Sequence, residues 1–281
     1  MALTEVKLTC RLVDGTIDHK SVGENPTKVL LTRNNLKQID LIPLRSCSRL
    51  IWLDLSHNQL NEVNLGHLGE NSIIERVSLS YNPLKQIDLS PVTNWKGLKT
   101  LRLTGCELGE IDLSPLSGLA FLEQLSIAYN DLKVLDLSPL ASCFNLEILS
   151  INRNRLQDID LTPLSECFSL KTLNIGDNPL ESIDLSPLAQ CENLYSLVIN
   201  KTPLETIDLE PLRGLEHLNG LDLSGNQLTT VDLRPLTFYD DMYDVNLEDN
   251  PLESLIVPRN FVRTKVTMNM DAEPDIIEED R

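Results

Sequence analysis

The residues closest in type to a hydrolytic triad are Asp54, Ser56 and His57, which lie within four consecutive positions. Their spacing argues against that chemistry, because side chains alternate between the two faces of a strand and a following turn scatters them further. The chain has only 4 histidines, and it contains no glycine-rich phosphate loop, no H-E-x-x-H motif and no nucleophile elbow. We therefore predict no catalytic residue, no cofactor and no enzymatic activity.

A column of aspartates is the second chemical candidate. One aspartate recurs at the same position of a 24-residue frame, with Asn64 interrupting the series: Asp40, Asp88, Asp112, Asp136, Asp160, Asp184, Asp208 and Asp232. Two carboxylates about 5 Å apart repel by roughly 0.8 kcal/mol in water, so each needs a compensating partner. We predict that each accepts backbone N–H groups from the turn that follows it. The alternative is a cation such as Ca²⁺, although only one carboxylate is available per turn of the chain.

Cysteines are the third candidate. Four of the 6 cysteines, Cys47, Cys143, Cys167 and Cys191, share one position of the frame, where other copies carry leucine, tryptophan or tyrosine. The site is therefore apolar, and we predict that the thiols fill small spaces in the core. The alternative is a disulfide or a metal site, but no paired C-x-x-C spacing or nearby histidine supports a metal.

All of these residues are positioned by a frame that recurs ten times between residues 27 and 261. Each copy reads L-x-x-L-x-L-x-x-N-x-L-x-x-I-D-L-S-P-L-x-x-C-x-x. A fixed period of this length indicates a stacked array in which each unit buries its apolar side on its neighbours. The first half predicts a short strand, and Ser-Pro predicts a short helical or 3₁₀ turn with serine as its cap. The ninth-position asparagine, present in eight of ten copies, is predicted to bond to turn backbone groups.

The two ends depart from the frame. Residues 1–26 alternate like a hairpin around Asp14-Gly15, and we predict an N-terminal cap. Residues 262–270 are predicted to form a C-terminal cap. Residues 271–281 are strongly acidic and lack glycine and aromatic residues, which predicts a disordered tail.

The L-x-x-L-x-L-x-x-N-x-L core resembles the signature of the leucine-rich repeat (LRR) superfamily over residues 27–261. The compact second half resembles the intracellular type, such as the phosphatase-regulatory subfamily, more than the longer ribonuclease-inhibitor type. The resemblance implies an α/β solenoid: a curved right-handed superhelix with a parallel β-sheet on the concave face and short 3₁₀ or helical turns on the convex face. It also implies protein binding on the concave face, without naming the partner.

Charge narrows the class of partner. The net charge is -18, so the surface as a whole repels phosphate backbones and anionic lipid, and we predict neither nucleic acid nor membrane as partner. The sequence contains no apolar run of membrane-spanning length and no basic, apolar start typical of a signal peptide. We predict a cytoplasmic monomer.

The solvent-facing third, fifth and eighth positions of the frame vary in an organised way. Early copies carry basic and aromatic residues, and late copies carry mainly Asp177, Asp222, Asp244 and Asp249. Arginine, tryptophan and tyrosine dominate binding hot spots. We predict a basic-aromatic patch that binds an acidic segment of a protein partner and consists of Trp52, His57, Arg76, Tyr81, Arg102, Tyr129 and Arg153.

Three alternatives to this patch stay open at the level of sequence. These side chains could be ordinary solvated strand residues, with arginine stacked on tyrosine for local cohesion. The acidic tail around residues 276–280 could dock on the patch within the same chain. The protein could also be a structural or regulatory repeat protein that binds cations at the aspartate column.

Overall fold

The leucine-rich half of each repeat forms one short strand of a parallel sheet. The computed structural model describes residues 5–69, 73–236, 244–259, 266–269 and 274–279. The strands of this sheet are β3 (Lys28–Leu30), β5 (Trp52–Asp54), β6 (Arg76–Ser78), β7 (Thr100–Arg102), β8 (Gln124–Ser126), β9 (Ile148–Ser150), β10 (Thr172–Asn174), β11 (Ser196–Val198), β12 (Gly220–Asp222), β14 (Asp244–Asn246) and β16 (Val266–Thr267). They pair in sequence order into one sheet on the concave face.

The register of this sheet separates the core from the exposed face. Equivalent residues of successive repeats are paired, as in Trp52 with Arg76 and Leu53 with Val77. The middle residue of each three-residue strand is buried, and its two neighbours point outward, because side chains alternate along a strand. The first and third strand residues therefore form two parallel columns on the concave face.

Short 3₁₀ turns form the convex side. They span Ile42–Ser46, Leu65–Leu68, Ser90–Asn94, Ser114–Leu116, Ser138–Ser142, Thr162–Glu166, Ser186–Gln190 and Glu210–Leu212. Each places a leucine or valine in the core. The predicted serine caps are wrong. In five of these turns the serine or threonine is the first residue of the turn. The cap position is taken by the preceding leucine, whose side chain makes no capping hydrogen bond. The aspartate two residues before the serine or threonine takes that role instead.

The N-terminal residues form a small antiparallel sheet over the first repeat. Strand β1 (Lys7–Leu12) pairs with β2 (Ile17–Ser21) on one side and with β4 (Leu36–Ile39) on the other. Leu8 and Cys10 of β1 are fully buried. This sheet covers apolar surface that the first repeat would otherwise expose.

The C-terminal end contains more regular structure than the sequence predicted. Strand β13 (Thr230–Asp232) pairs with β15 (Ser254–Pro258), which pairs with β17 (Asp275–Glu279) on the convex side. The prediction of a disordered tail is wrong for β17, because β15 presents unpaired backbone groups that a further strand satisfies. This pairing also contradicts docking of the tail on the basic-aromatic patch. Of the predicted cap, residues 262–265 and 270 lie outside the described residues.

The parallel sheet on one side and the short 3₁₀ turns on the other confirm the predicted solenoid. In the described parts of the chain, no helix is long and apolar enough to cross a membrane.

Candidate partner-binding face

The triad-like residues do not assemble. The Oδ1 atom of Asp54 accepts the backbone N–H of Ser56 at 2.9 Å, and the Ser56 hydroxyl lies 2.6 Å from that of Ser78. His57 instead stacks on Tyr81, with ring centroids 4.5 Å apart. Each of these three side chains makes a structural contact of this kind, so the arrangement does not place a nucleophile beside a general base.

The turn that ends each concave strand carries the eighth-position side chains, and its backbone is left-handed. Eight of these residues are not glycine and have φ values between 51° and 58°: Arg33, His57, Tyr81, Tyr129, Arg153, Asp177, Lys201 and Asp249. A left-handed conformation costs a side-chain-bearing residue roughly 1–2 kcal/mol. The turn is held by the next residue, the ninth-position asparagine, which confirms the predicted backbone bonding: Asn82 Nδ2 donates to the carbonyl oxygens of Leu55 and Leu79 at 3.0 and 2.8 Å.

Trp52 anchors one edge of the concave face, where the strands begin. The Nζ atom of Lys28 lies 5.2 Å from the ring centroid of Trp52, and the Cζ atom of Arg76 lies 5.6 Å from it. Both cations come from neighbouring strands in register with Trp52. The attraction between a cation and the face of an indole ring orients both side chains before any partner arrives.

Tyr81 anchors the opposite edge, where the strands end. Its ring is sandwiched between His57 and Gly105, and a Cβ added to Gly105 would lie 2.8 Å from Cδ1 of Tyr81. The glycine is required both by this contact and by its own φ of 64°. The exposed fraction of Tyr81 is 45%, so part of this residue stays accessible to a partner.

Tyr129 and Arg153 continue the same edge. The Cζ atom of Arg153 lies 4.6 Å from the ring centroid of Tyr129, and its Nε donates to Oδ2 of Asp177 at 3.0 Å. This stacking of an arginine on a tyrosine agrees with the alternative interpretation, in which these side chains are solvated strand residues that hold one another in place. Asp177 is also the first member of the acidic half, so Arg153 marks the boundary between the two charged regions.

Between the two edges lies a floor lined by hydroxyl groups. Arg102 is the last of the three residues of β7, and its Nη2 donates to Oε1 of Gln124 at 2.8 Å. A shallow depression brings Arg102 together with Arg33, Asp54 and the following hydroxyl-bearing residues: Thr32, Ser56, Ser78, Ser80, Thr104 and Ser126. Hydroxyl and guanidinium groups both donate hydrogen bonds to carboxylate oxygens.

The structure thus divides the predicted patch. It brings Trp52 and Arg76 together at one edge, places His57, Tyr81, Tyr129 and Arg153 at the other, and leaves Arg102 between them. Trp52 and His57 are five positions apart in the sequence, a distance of up to roughly 17 Å between their Cα atoms. Lys28 and Arg33, which the predicted patch omitted, lie on the same face, Lys28 against Trp52 and Arg33 in the depression with Arg102. Their third and eighth positions in the frame were the available signal.

The convex aspartates accept backbone N–H groups, which confirms the prediction for this column. Oδ1 of Asp88, Asp136 and Asp160 accepts the N–H two residues later at 2.8 Å. Asn64, which interrupts the column, does the same with Gly66 at 2.9 Å. No cluster of three metal-ligating side chains occurs within the described ranges.

The hydrogen bonds of the aspartate column determine how the stability of the protein changes as the pH falls. Hydrogen bonds from the following serine or threonine side chain, and then from its backbone N–H, lower the pKa of Asp136, Asp160 and Asp184. A lowered pKa in the folded state means that the carboxylate stabilises the fold above about pH 4 and that this stability is lost as the pH falls below that value. We expect the triple variant Asp136→Asn, Asp160→Asn and Asp184→Asn to lose less melting temperature on acidification, because asparagine keeps the acceptor, as Asn64 shows.

The measurement is a series of melting curves from neutral to acidic pH, with the conservative variant Asp136→Glu as control. If the melting temperature of the triple variant falls with acidification as steeply as that of the unmodified protein, the stabilising role given to these aspartates is wrong.

The cysteines are free and buried, in agreement with the core role predicted for them. Burial raises the pKa of Cys143 and Cys191 to about 11 and that of Cys167 to about 12. Their thiols stay protonated and donate to carbonyl oxygens of the preceding repeat, as from Cys167 to Leu140 at 3.5 Å. The structure joins none of these cysteines in a disulfide.

Known proteins share this architecture. A family profile described as Leucine Rich repeat matches residues 166–189. Internalin C2 from Listeria monocytogenes is 32% identical over 68% of this chain and 78% of its own, with a TM-score of 0.56. No curated protein sequence matches the chain.

Two more distant solved structures show the fold alone. The functional domain of InlJ from Listeria monocytogenes, which includes a cysteine ladder, is 18% identical over 87% of this chain and 59% of its own, with a TM-score of 0.55. The ectodomain of the Arabidopsis thaliana receptor kinase GASSHO1/SCHENGEN3, solved in complex with CASPARIAN STRIP INTEGRITY FACTOR 2, is 22% identical over 92% of this chain and 30% of its own, with a TM-score of 0.71. The likeness to the phosphatase-regulatory subfamily stays a prediction. The ten-fold repeat, the solenoid and the identity to internalin C2 together show that the chain belongs to the leucine-rich repeat superfamily.

Proposed function

We propose that the protein is a non-enzymatic interaction module that binds an acidic segment of a protein partner on the N-terminal half of its concave face. The observation that carries the proposal is Trp52 with Lys28 and Arg76 on its ring, in a face where most other cations are also ordered. Ordered side chains lose less entropy on binding, so their contacts contribute more of their energy to affinity. The free thiols fit a reducing compartment, and a cytoplasmic location is part of the proposal.

The shape of the face defines the partner segment. The positive region runs from β3 to β9, six strands of the concave sheet that span roughly 24 Å at ordinary strand spacing. An extended peptide covers that length with about seven residues. The acidic residues of the C-terminal half, including Asp222 and Asp249, repel the continuation of an acidic chain and favour one docking position.

Titration with a fluorescent glutamate-rich peptide tests the proposal. We expect anisotropy to rise on binding, and the emission of Trp52 to change while Trp95, which is fully buried, is unaffected. Affinity should fall at least about tenfold between low salt and 0.5 M salt, because screening shortens the range of charge attraction. The control is the same peptide with glutamine in place of glutamate. Equal binding of the two peptides, or no binding of either, would refute the proposal.

A further inference from the structure

A second exposed surface lies on the lateral edge of the solenoid, outside the concave face. The residues between each 3₁₀ turn and the next concave strand carry Phe121, Phe144, Phe168 and Tyr195 in four consecutive levels, and we call these four residues the aromatic edge. Their exposed fractions are 59%, 50%, 50% and 55%, respectively. The levels are stacked by backbone hydrogen bonds, such as Lys171 N–H to Glu147 and Tyr195 N–H to Lys171, both at 2.8 Å.

The exposure of these four aromatic side chains is unusual for this chain. Only 4% of its residues are aromatic, and its core is built almost entirely of leucine, isoleucine, valine and cysteine. All three phenylalanines in the described ranges lie on this edge. Phe144 and Phe168 directly follow a buried cysteine, at a position that the apolar frame leaves outside. Large apolar side chains that are exposed on successive levels of one edge indicate an interaction site.

We propose that the aromatic edge binds an amphipathic helix of a partner protein, with one aliphatic side chain per turn facing the edge and basic residues beside that stripe. A helix advances 5.4 Å per turn, and the levels of the solenoid repeat at about 5 Å. A helix lying along the edge therefore presents one residue per turn to one level of the array. Where the edge meets the concave face, a shallow hollow accepts the last of these side chains. It is lined by Tyr195, His217, the first strand residues Ile148 and Thr172, and the ion pair of Lys171 with Glu147.

Area and charge distinguish this occupant from a second copy of the chain. A half-exposed aromatic side chain offers roughly 100 Å², so the four offer about 400 Å². A stable protein dimer buries about 800 Å² on each partner, which is twice that area. Two copies that each carry a net charge of -18 also repel one another. Glu123, Glu166 and Glu192 lie beside the aromatic residues in sequence, and these glutamates favour basic residues on the helix.

The experiment uses the full chain and a synthetic helical peptide with leucine once per turn on one side and lysine beside it. We expect fluorescence anisotropy to show binding that falls at least tenfold in the double variant Phe144→Ser and Phe168→Ser. A peptide of the same composition with its leucines scattered around the helix should bind as weakly to the unmodified protein. The matched control variant is Val134→Ser, because Val134 is 79% exposed but lies outside this edge. It should bind like the unmodified protein, and both variants should keep its melting temperature.

Four outcomes would overturn the proposal. They are no binding of the leucine-stripe peptide, equal binding to the double variant, sedimentation of the unmodified protein as a dimer that the double variant abolishes, and association of the edge with phosphatidylcholine vesicles. The last two would assign the edge to a second copy or to lipid.

Discussion

Replacing Asn130 with alanine is expected to lower the free energy of unfolding by about 4 kcal/mol, the largest loss that we expect from a single side chain outside the apolar core. Its Oδ1 accepts the backbone N–H groups of Cys106 and Leu108 at 2.9 and 3.0 Å. Its Nδ2 donates to the carbonyl oxygens of Leu103, Ile127 and Ala128 at 2.9, 2.9 and 3.1 Å. Alanine would leave several buried backbone groups without partners, at roughly 1–3 kcal/mol each.

Denaturant unfolding checks this expectation, with Asn61→Ala as the control because Asn61 is exposed. The control should change stability by no more than about 0.5 kcal/mol. The same substitution should weaken binding of the acidic peptide, because Asn130 holds the turn that carries Tyr129. A loss of stability no larger than that of the control would contradict the role assigned to the asparagine column.

Reversing Arg76, Arg102 and Arg153 to glutamate is expected to weaken binding of the acidic peptide by at least about 100-fold, equivalent to about 2.7 kcal/mol. The three arginines lie on both edges and on the floor of the concave face, so together they reach the whole predicted path of the peptide. Each reversal replaces an attraction with a repulsion. Arg153→Glu also faces Asp177, with which the arginine pairs at 3.0 Å.

A matched control makes the same change in net charge elsewhere. Lys37, Lys85 and Lys133 share the twelfth position of the frame, are exposed and lie outside the concave face. Their triple reversal to glutamate should change affinity by less than about threefold, the part due to net charge at moderate salt. If the lysine variant loses as much affinity as the arginine variant, binding depends on total charge and not on this face. Melting curves of both variants exclude unfolding as the cause.

The sequence predicted the strands, the asparagine column and the aspartate contacts because these depend on the repeat itself. Asn82 and Asn130 are surrounded by the same frame, so one local argument applies to both. The serine caps were misjudged because serine and aspartate both accept N–H groups in such turns. Strand β17 was missed because the acidic composition of residues 271–281 outweighed Ile276 and Ile277.

The candidate site was only partly accessible from the sequence. The frame placed Trp52 and Tyr81 on the exposed side, because position within the repeat determines the face. It did not predict that Lys28 and Arg76 share the ring of Trp52, since the orientation of long side chains depends on neighbours from two other repeats. The aromatic edge was overlooked, although Phe144 and Phe168 occupy the same position outside the apolar frame.

The leucine-rich repeat solenoid, its buried columns and the two opposite charges of its concave face follow from the sequence alone, because periodicity and side-chain alternation are local properties. Which side chains meet across repeats depends on how the repeats stack. The tertiary structure divided the predicted patch into two edges and a hydroxyl-lined floor, and it grouped the exposed aromatic residues of four levels. These are contacts between residues about 24 positions apart, and their geometry arises only when the repeats stack.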